Sequence, residues 1–268
     1  MLDRCLFPAM ISYWRREFKL PDLPFFYVLL AAGHTALLRE AQYLGAAAIN
    51  NTAFASAVDL GASAGEYLIP GHPPRKQEVG RRLALVNRAR VYHETGVDDR
   101  GPRVLAEKVT VTSVTDTKSG AVHTTVVIPF DVGTDGHLHL NGTGGCTACC
   151  NGSSATILAA DMSMSNPSSP VGLLDPAAAT TAAKLYKTQT FTVDAAAAVL
   201  TATIPGWHAS TDVAEVQFLF DNFPQCAVYS GELSGPDAVY ATVQHFGLVA
   251  ESWRGNVTVK KTTTTTSA

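Results

Sequence analysis

The sequence predicts an α/β fold over residues 1–98, the end of a doubly wound sheet, followed by a β-rich region over residues 99–259. Three observations carry this. The first part alternates helix, strand, helix, strand, helix signals, the βα pattern of a parallel sheet. From about Val104 the texture changes to short β-branched runs with period-2 alternation. The end, Lys260 to Ala268, is a Thr-rich low-complexity stretch expected to lie outside the fold as a disordered tail over residues 260–268.

Leu6 to Phe18 has amphipathic spacing, with Met10, Ile11 and Trp14 on one face and Arg15, Arg16 and Glu17 on another. Pro21 and Pro24 end it. Pro24 to Ala31 is a continuous apolar run, as expected of a parallel strand buried on both faces. Thr35 is a candidate N-cap for a helix to Tyr43. Phe54 to Leu60 is the next strand and ends on Asp59; a Gly- and Pro-rich loop follows. His72-Pro73-Pro74 opens a helix to about Tyr92, where proline costs little because the first N–H groups have no intrahelical partner. In the second part, Val109 to Val114, Val122 to Ile128, Thr188 to Val193, Ala198 to Ile204 and Ala214 to Phe220 are strand candidates, and Gly133 to Gly145 is turn-like. The Ala/Thr-rich stretches Ala177 to Ala183 and Ala195 to Ala198 fit neither period.

Composition narrows the class. An apolar content of 46% is ample for a core. A net charge of −3 argues against a nucleic-acid partner, which requires a basic face. No apolar run reaches the roughly 18 residues of a membrane helix, and the start, Met1 to Cys5, lacks the apolar core of a signal peptide. Five cysteines (Cys5, Cys146, Cys149, Cys150, Cys226) and four Asn-x-Ser/Thr acceptors (Asn50, Asn141, Asn151, Asn256) lean towards a secretory or lysosomal compartment.

Several residues are candidates for chemistry. His72, between a strand end and a helix start, occupies the position where open α/β sheets place their sites. Imidazole can take and return a proton near neutrality; packing at a helix start is the plainer role. Asp59 and Glu66 are the nearby carboxylates. Asp59 either orients an imidazole or satisfies N–H groups at the strand end. Gly61-Ala-Ser63-Ala-Gly65 matches a nucleophile-elbow pattern and follows a strand, but no helix has room to follow it, so Ser63 reads as a loop residue. Arg39 to Gln42 reads most simply as a helix-surface salt-bridge set. Cys146, Cys149 and Cys150 lack the second ligand pair of a zinc site, even with His137 and His139 upstream, so no metal is expected. A disulfide among Cys146, Cys149, Cys150 and Cys226 is the alternative. Trp207-His208 in a Pro-Gly turn reads as a loop plug.

The block from Asp59-Leu-Gly through His72-Pro-x-x-Lys76-x-x-Val79-Gly80-x-Arg82-Leu-Ala-Leu85 resembles the last catalytic block of the sialate O-acetylesterases, carbohydrate esterases built on an SGNH-hydrolase-like domain. Cys5 to Arg15, Leu23 to Ala31 and Arg39 to Gln42 follow the family's order, and Phe220 to Tyr229 looks like its closing strand. The resemblance implies a partial SGNH-like domain, with His72 as base and Asp59 as the provisional acid. It also implies an O-acetylated sugar, sialic acid or a relative, as substrate, with no cofactor. The position three before the His, an Asp in most SGNH enzymes, is Ile69 here, which leaves Asp59, Glu66 or a backbone carbonyl to orient the ring. The family's Gly-Gln-Ser-Asn and Trp-x-Gln-Gly-Glu blocks do not occur in the sequence. The expectation is therefore a fragment with the His half of the site and no Ser nucleophile. A non-catalytic remnant that binds carbohydrate or a partner is the alternative.

Overall fold

In the computed structural model the described residues are 2–31, 36–60, 76–133, 138–140, 171–174, 186–187, 190–207, 211–218, 228–230 and 248–264. They form a mixed α/β protein of helices and sheets. The first part runs α1 (Leu2–Glu17), β1 (Phe25–Leu29), α2 (Ala36–Ala47), β2 (Thr52–Ser56) and α3 (Lys76–Arg90). β1 and β2 pair in parallel, Phe25 opposite Thr52 through Leu29 opposite Ser56.

Alternation along β1 sends its side chains to both faces. Tyr27 and Leu29 pack with Phe7 of α1 and Ala46 of α2. Val28, on the opposite face, joins Ala31, Ala57, Leu60 and Val79 of α3. Helices therefore cover both faces of the pair, which is why β1 reads as a continuous apolar run.

One expectation for α1 fails in detail. Arg15 is buried and Trp14 is exposed, the reverse of the predicted faces. Arg15 sits one turn after the buried Ile11. Its Nε donates to the Leu23 carbonyl at 2.9 Å, and its Nη2 to the carbonyls of Asn50 at 2.9 Å and Asn51 at 3.1 Å. It ties the turn before β1 to the turn before β2, and three backbone acceptors offset the burial of its charge.

The second part contributes β3 (Arg103–Val104), a 3-10 turn (Ala106–Lys108), β4 (Thr110–Asp116), β5 (Val122–Asp131), β6 (His139–Leu140), β7 (Val171–Leu174), β8 (Tyr186–Lys187), β9 (Thr190–Asp194), β10 (Val199–Pro205), β11 (Val213–Phe218), β12 (Val228–Ser230), β13 (Leu248–Val249) and β14 (Trp253–Thr264). One sheet has the order β8-β7-β11-β14-β4-β5-β10-β9, with β3 on β5; a smaller one is β13-β12-β6. The strict alternation of burial along β5, β10 and β11 puts one face of each into a single core. Phe130 of β5 meets Phe218 of β11 edge to face, ring centroids 5.1 Å apart. Val58, just past β2, belongs to that same core.

The tail is where the structure departs most from expectation. Lys260 to Thr264 is strand, not disordered chain. β14 pairs antiparallel with β11 through Thr258, then parallel with β4 from Val259 opposite Val111 to Thr264 opposite Asp116. Low complexity hid a run of threonines, and threonine is β-branched and favours a pleated surface. Residues 265–268 lie outside the described residues.

Candidate functional site

The segment that carries His72 leaves the sheet at the carboxyl end of β2 and re-enters at α3. Ser63, Glu66, Ile69 and His72 themselves lie outside the described residues. What is described is the pair of ends that hold the segment. After Ser56 the chain turns, with Leu60 N–H donating to the Ala57 carbonyl at 3.0 Å. This delivers Asp59, its side chain 1% exposed, against α3.

There Arg82 meets it in a fork: Nη1 donates to Oδ1 at 2.7 Å and Nη2 to Oδ2 at 2.8 Å. Nη1 also donates to the Ser56 carbonyl at 2.7 Å, and Nε to Glu78 Oε1 at 2.8 Å. Arg81 completes the set with two bonds to the Glu78 carboxylate, at 2.7 and 2.8 Å. Tyr229 of β12 donates its hydroxyl to Asp59 Oδ2 at 3.1 Å.

Asp59, Glu78 and Arg82 thus neutralise one another out of water, with the half-exposed Arg81 at the rim, and Nε, Nη1 and Nη2 of Arg82 each have an acceptor. Burial works against the charged form of Arg82. The Asp59 charge and hydrogen bonds, with Glu78 behind them, outweigh it and hold the guanidinium pKa above its ordinary value.

Both Asp59 oxygens accept hydrogen bonds, from Arg82 and from Tyr229, which tie the turn after β2 to α3 and to β12 at one point. Arg82 and Tyr229 enter the sequence reading only as members of its motifs, with no contact assigned to either, and Glu78 does not enter it. The Glu78–Arg82 spacing of four on a helix was a visible signal. The tyrosine's partner, 170 positions away in sequence, left none.

Other candidates resolve differently from expectation. Arg39 to Gln42 is not a helix-surface ladder. Arg39 is buried. Glu40 accepts two bonds from Arg254 of β14, both at 2.7 Å. Gln42 brackets the β1 backbone, accepting from Leu30 N–H at 3.2 Å and donating to the Val28 carbonyl at 3.5 Å. Trp207 is a core residue, 2% exposed, whose carbonyl accepts from Thr124 Oγ1 at 2.6 Å. Cys5 is free and exposed. Cys146, Cys149, Cys150, Cys226, His137 and His208 lie outside the described residues, as do the acceptors Asn141 and Asn151. Asn50 and Asn256 are exposed. Among the described residues no group of three or more His, Cys, Asp or Glu side chains is placed to hold a metal ion, and no helix is long and apolar enough to cross a membrane. No family model matches the chain, and no curated protein matches it.

Proposed function

We propose that this chain carries the His-bearing part of a carboxylic-ester hydrolase like the sialate O-acetylesterases, acting on the O-acetyl groups of sialic acid or a related sugar. Residues 1–98 are then the last βα units of an SGNH-like doubly wound domain, and residues 99–259 a β-rich domain attached to it. One observation carries the reading. Asp59 and Arg82 are both members of the block that gives the resemblance, and they bond to each other, so the block is a physical unit that fixes both ends of the segment bearing His72. That segment starts at the carboxyl end of a parallel strand, where α/β sheets concentrate their chemistry.

In such a hydrolase a serine hydroxyl attacks the acetyl carbonyl. His72 takes the hydroxyl proton, then gives it to the departing sugar oxygen, while backbone N–H groups hold the oxyanion. With Asp59 engaged by Arg82 and Tyr229, Glu66 or a backbone carbonyl is the better partner for the ring. The sequence holds no Gly-Gln-Ser-Asn block, so the reading needs a serine from polypeptide outside this sequence. Exposed Asn50 and Asn256 fit a secreted or lysosomal protein. The occupied Asp59 also favours a second reading, a non-catalytic carbohydrate-binding remnant.

The test is acetate release from an O-acetylated sialic acid by this chain joined behind a family segment that carries the nucleophile. Hydrolysis that needs both that serine and His72, falling by about 10³-fold or more in His72→Ala, supports the hydrolase. Turnover that ignores His72→Ala removes it, and saturable sugar binding without turnover favours the second reading.

A further inference from the structure

Away from the Asp59 cluster, a cavity of about 150 Å³ opens where the first helices and strands approach the segment after α3. Its wall is aromatic. Tyr27 of β1, Tyr43 of α2 and Phe54 of β2 line it, with the Phe54 ring 5.6 Å from that of Tyr27 and 5.8 Å from that of Tyr43. A narrower hollow of about 10 Å³ adjoins it, sharing Phe54, Asp99 and Arg100, and Glu251 lines this end. The hollow is narrow because two backbones nearly touch: a Cβ on Gly101 would lie 1.9 Å from the Val249 carbonyl oxygen.

The charges around these spaces are paired, with two exceptions. Arg90 pairs with Asp99, Arg103 with Asp131, and Arg82 with Asp59. Arg100, which is exposed, has no carboxylate partner among the described residues. Glu251 is 8% exposed, and its Oε1 has no hydrogen-bond partner among the described residues. Among the described residues, then, a cation without a paired carboxylate lines both spaces, a buried acid without a hydrogen-bond partner lines the narrower one, and the two do not bond to each other. Leaving a buried polar atom unpaired is costly.

We propose that this cavity binds a small monocarboxylate carrying one six-membered ring, with the ring against Tyr27, Tyr43 and Phe54 and the carboxylate joining Arg100 to Glu251. One ligand oxygen accepts from the Arg100 guanidinium and the other from the protonated Glu251 carboxyl, which satisfies both orphan groups at once. A cavity of about 150 Å³ accepts one such ring. A cationic ligand would meet Arg100, and a neutral one would leave that charge uncompensated.

The proton on Glu251 is supplied by its surroundings. Burial pushes its carboxyl up to about 7; Asp99 and Asp131 act in the same direction, and Arg100 and Arg103 oppose them. Tyr27 and Tyr43 face it from β1 and α2. Burial first, and then its charge among others, raises both hydroxyls, which keeps them neutral. Arg82 lines the same hollow from α3, already neutralised by Asp59 and Glu78.

The experiment titrates the full chain with benzoate, benzyl alcohol and benzylamine, read by amide NMR shifts, at about pH 6 and about pH 8, on either side of the value of about 7 for Glu251. Benzoate should saturate at the lower pH and bind about tenfold or more tighter than benzyl alcohol, the worth of a charge-assisted bond. Its affinity should fall about tenfold at the higher pH, as Glu251 loses the shared proton and repels the ligand. Arg100→Gln should abolish the preference for benzoate; Arg100 is exposed, so the fold is not at issue, and Arg100→Lys should keep it. Glu251→Gln should bind benzoate at both pH values, because an amide donates at either. No saturation at the lower pH, equal binding of benzyl alcohol, or indifference to Arg100→Gln overturns the site. Benzoate binding by the parent chain that ignores pH overturns the part assigned to Glu251.

Discussion

Two buried acids in this molecule behave in opposite ways, because one has partners and the other does not. Asp59 receives three hydrogen bonds from Arg82 and Tyr229. Removing the fork should be severe: Arg82→Ala leaves buried Asp59 with only the Tyr229 hydroxyl, while Glu78 keeps Arg81, and is expected to cost about 3–5 kcal/mol, against about 1 kcal/mol for Tyr229→Phe. Urea unfolding would show the contrast, and an Arg82→Ala chain as stable as its parent would mean that the cluster is solvated. Glu251 has no such support, and burial raises its pKa from 4.5 to about 7. The unfolded chain ionises near the lower value and the folded chain near the higher. Ionisation of Glu251 therefore takes nothing from stability below about pH 4.5, and stability is lost as pH rises from there through about 7. Glu251→Gln cannot ionise and should escape this loss, gaining up to about 3 kcal/mol on its parent by about pH 8 and nothing at about pH 4. Stability curves that run parallel across this window would show that Glu251 ionises freely in the folded chain.

At the scale of elements, long periodic segments were legible and pairing was not. The apolar run Pro24 to Ala31 contains β1, and the alternation from Val122 extends into a ten-residue β5. The helix expected from His72 is α3, described from Lys76 with its apolar Val79 and Val86 facing inward. Strands of two to four residues such as β3, β7 and β12 carry too little pattern for a period to register. The candidate site was legible only as a motif. Its Asp59–Arg82 bond and its Tyr229 contact are products of the tertiary fold, as is the cavity that gathers Tyr27, Arg100 and Glu251 from distant parts of the chain. β14 is the sharpest case, since composition alone pointed to disorder while register with β4 makes it the strand that joins the two wings of the large sheet. Proline tests this directly. From Val259 to Thr264 β14 is paired on one side, with β4, so one of each two successive N–H groups belongs to the ladder, and either Thr262→Pro or Thr263→Pro should cost about 1 kcal/mol or more and lower the unfolding midpoint. A disordered tail would tolerate both.

The whole molecule is covered unevenly. The β-rich part encloses one continuous core, whereas the parallel pair is small and open at its edges. β1 and β2 pair as strands only with each other among the described residues, so neither has a second strand on its outer side there; side chains of Gln42 and Arg82 take some of their backbone groups. Beside them, α1 exposes Leu6, Tyr13 and Trp14, the turn after it exposes Phe18, and α2 exposes Leu37. Open strand edges next to apolar surface are templates for association. A net charge of only −3 over 268 residues supplies little repulsion to prevent it. Purified chain is therefore expected to self-associate with rising concentration in sedimentation velocity. The apolar helix face and the strand edge can be separated. Leu6 and Phe18 are 57% and 63% exposed, so Leu6→Lys with Phe18→Lys removes apolar surface without opening the core. If the face drives association, the double variant sediments as a monomer with unchanged thermal stability. If the edges drive it, the variant associates as before. A parent chain that stays monomeric at every concentration would show that neither surface is sticky, and that the open pair is stable on its own packing with α1, α2 and α3.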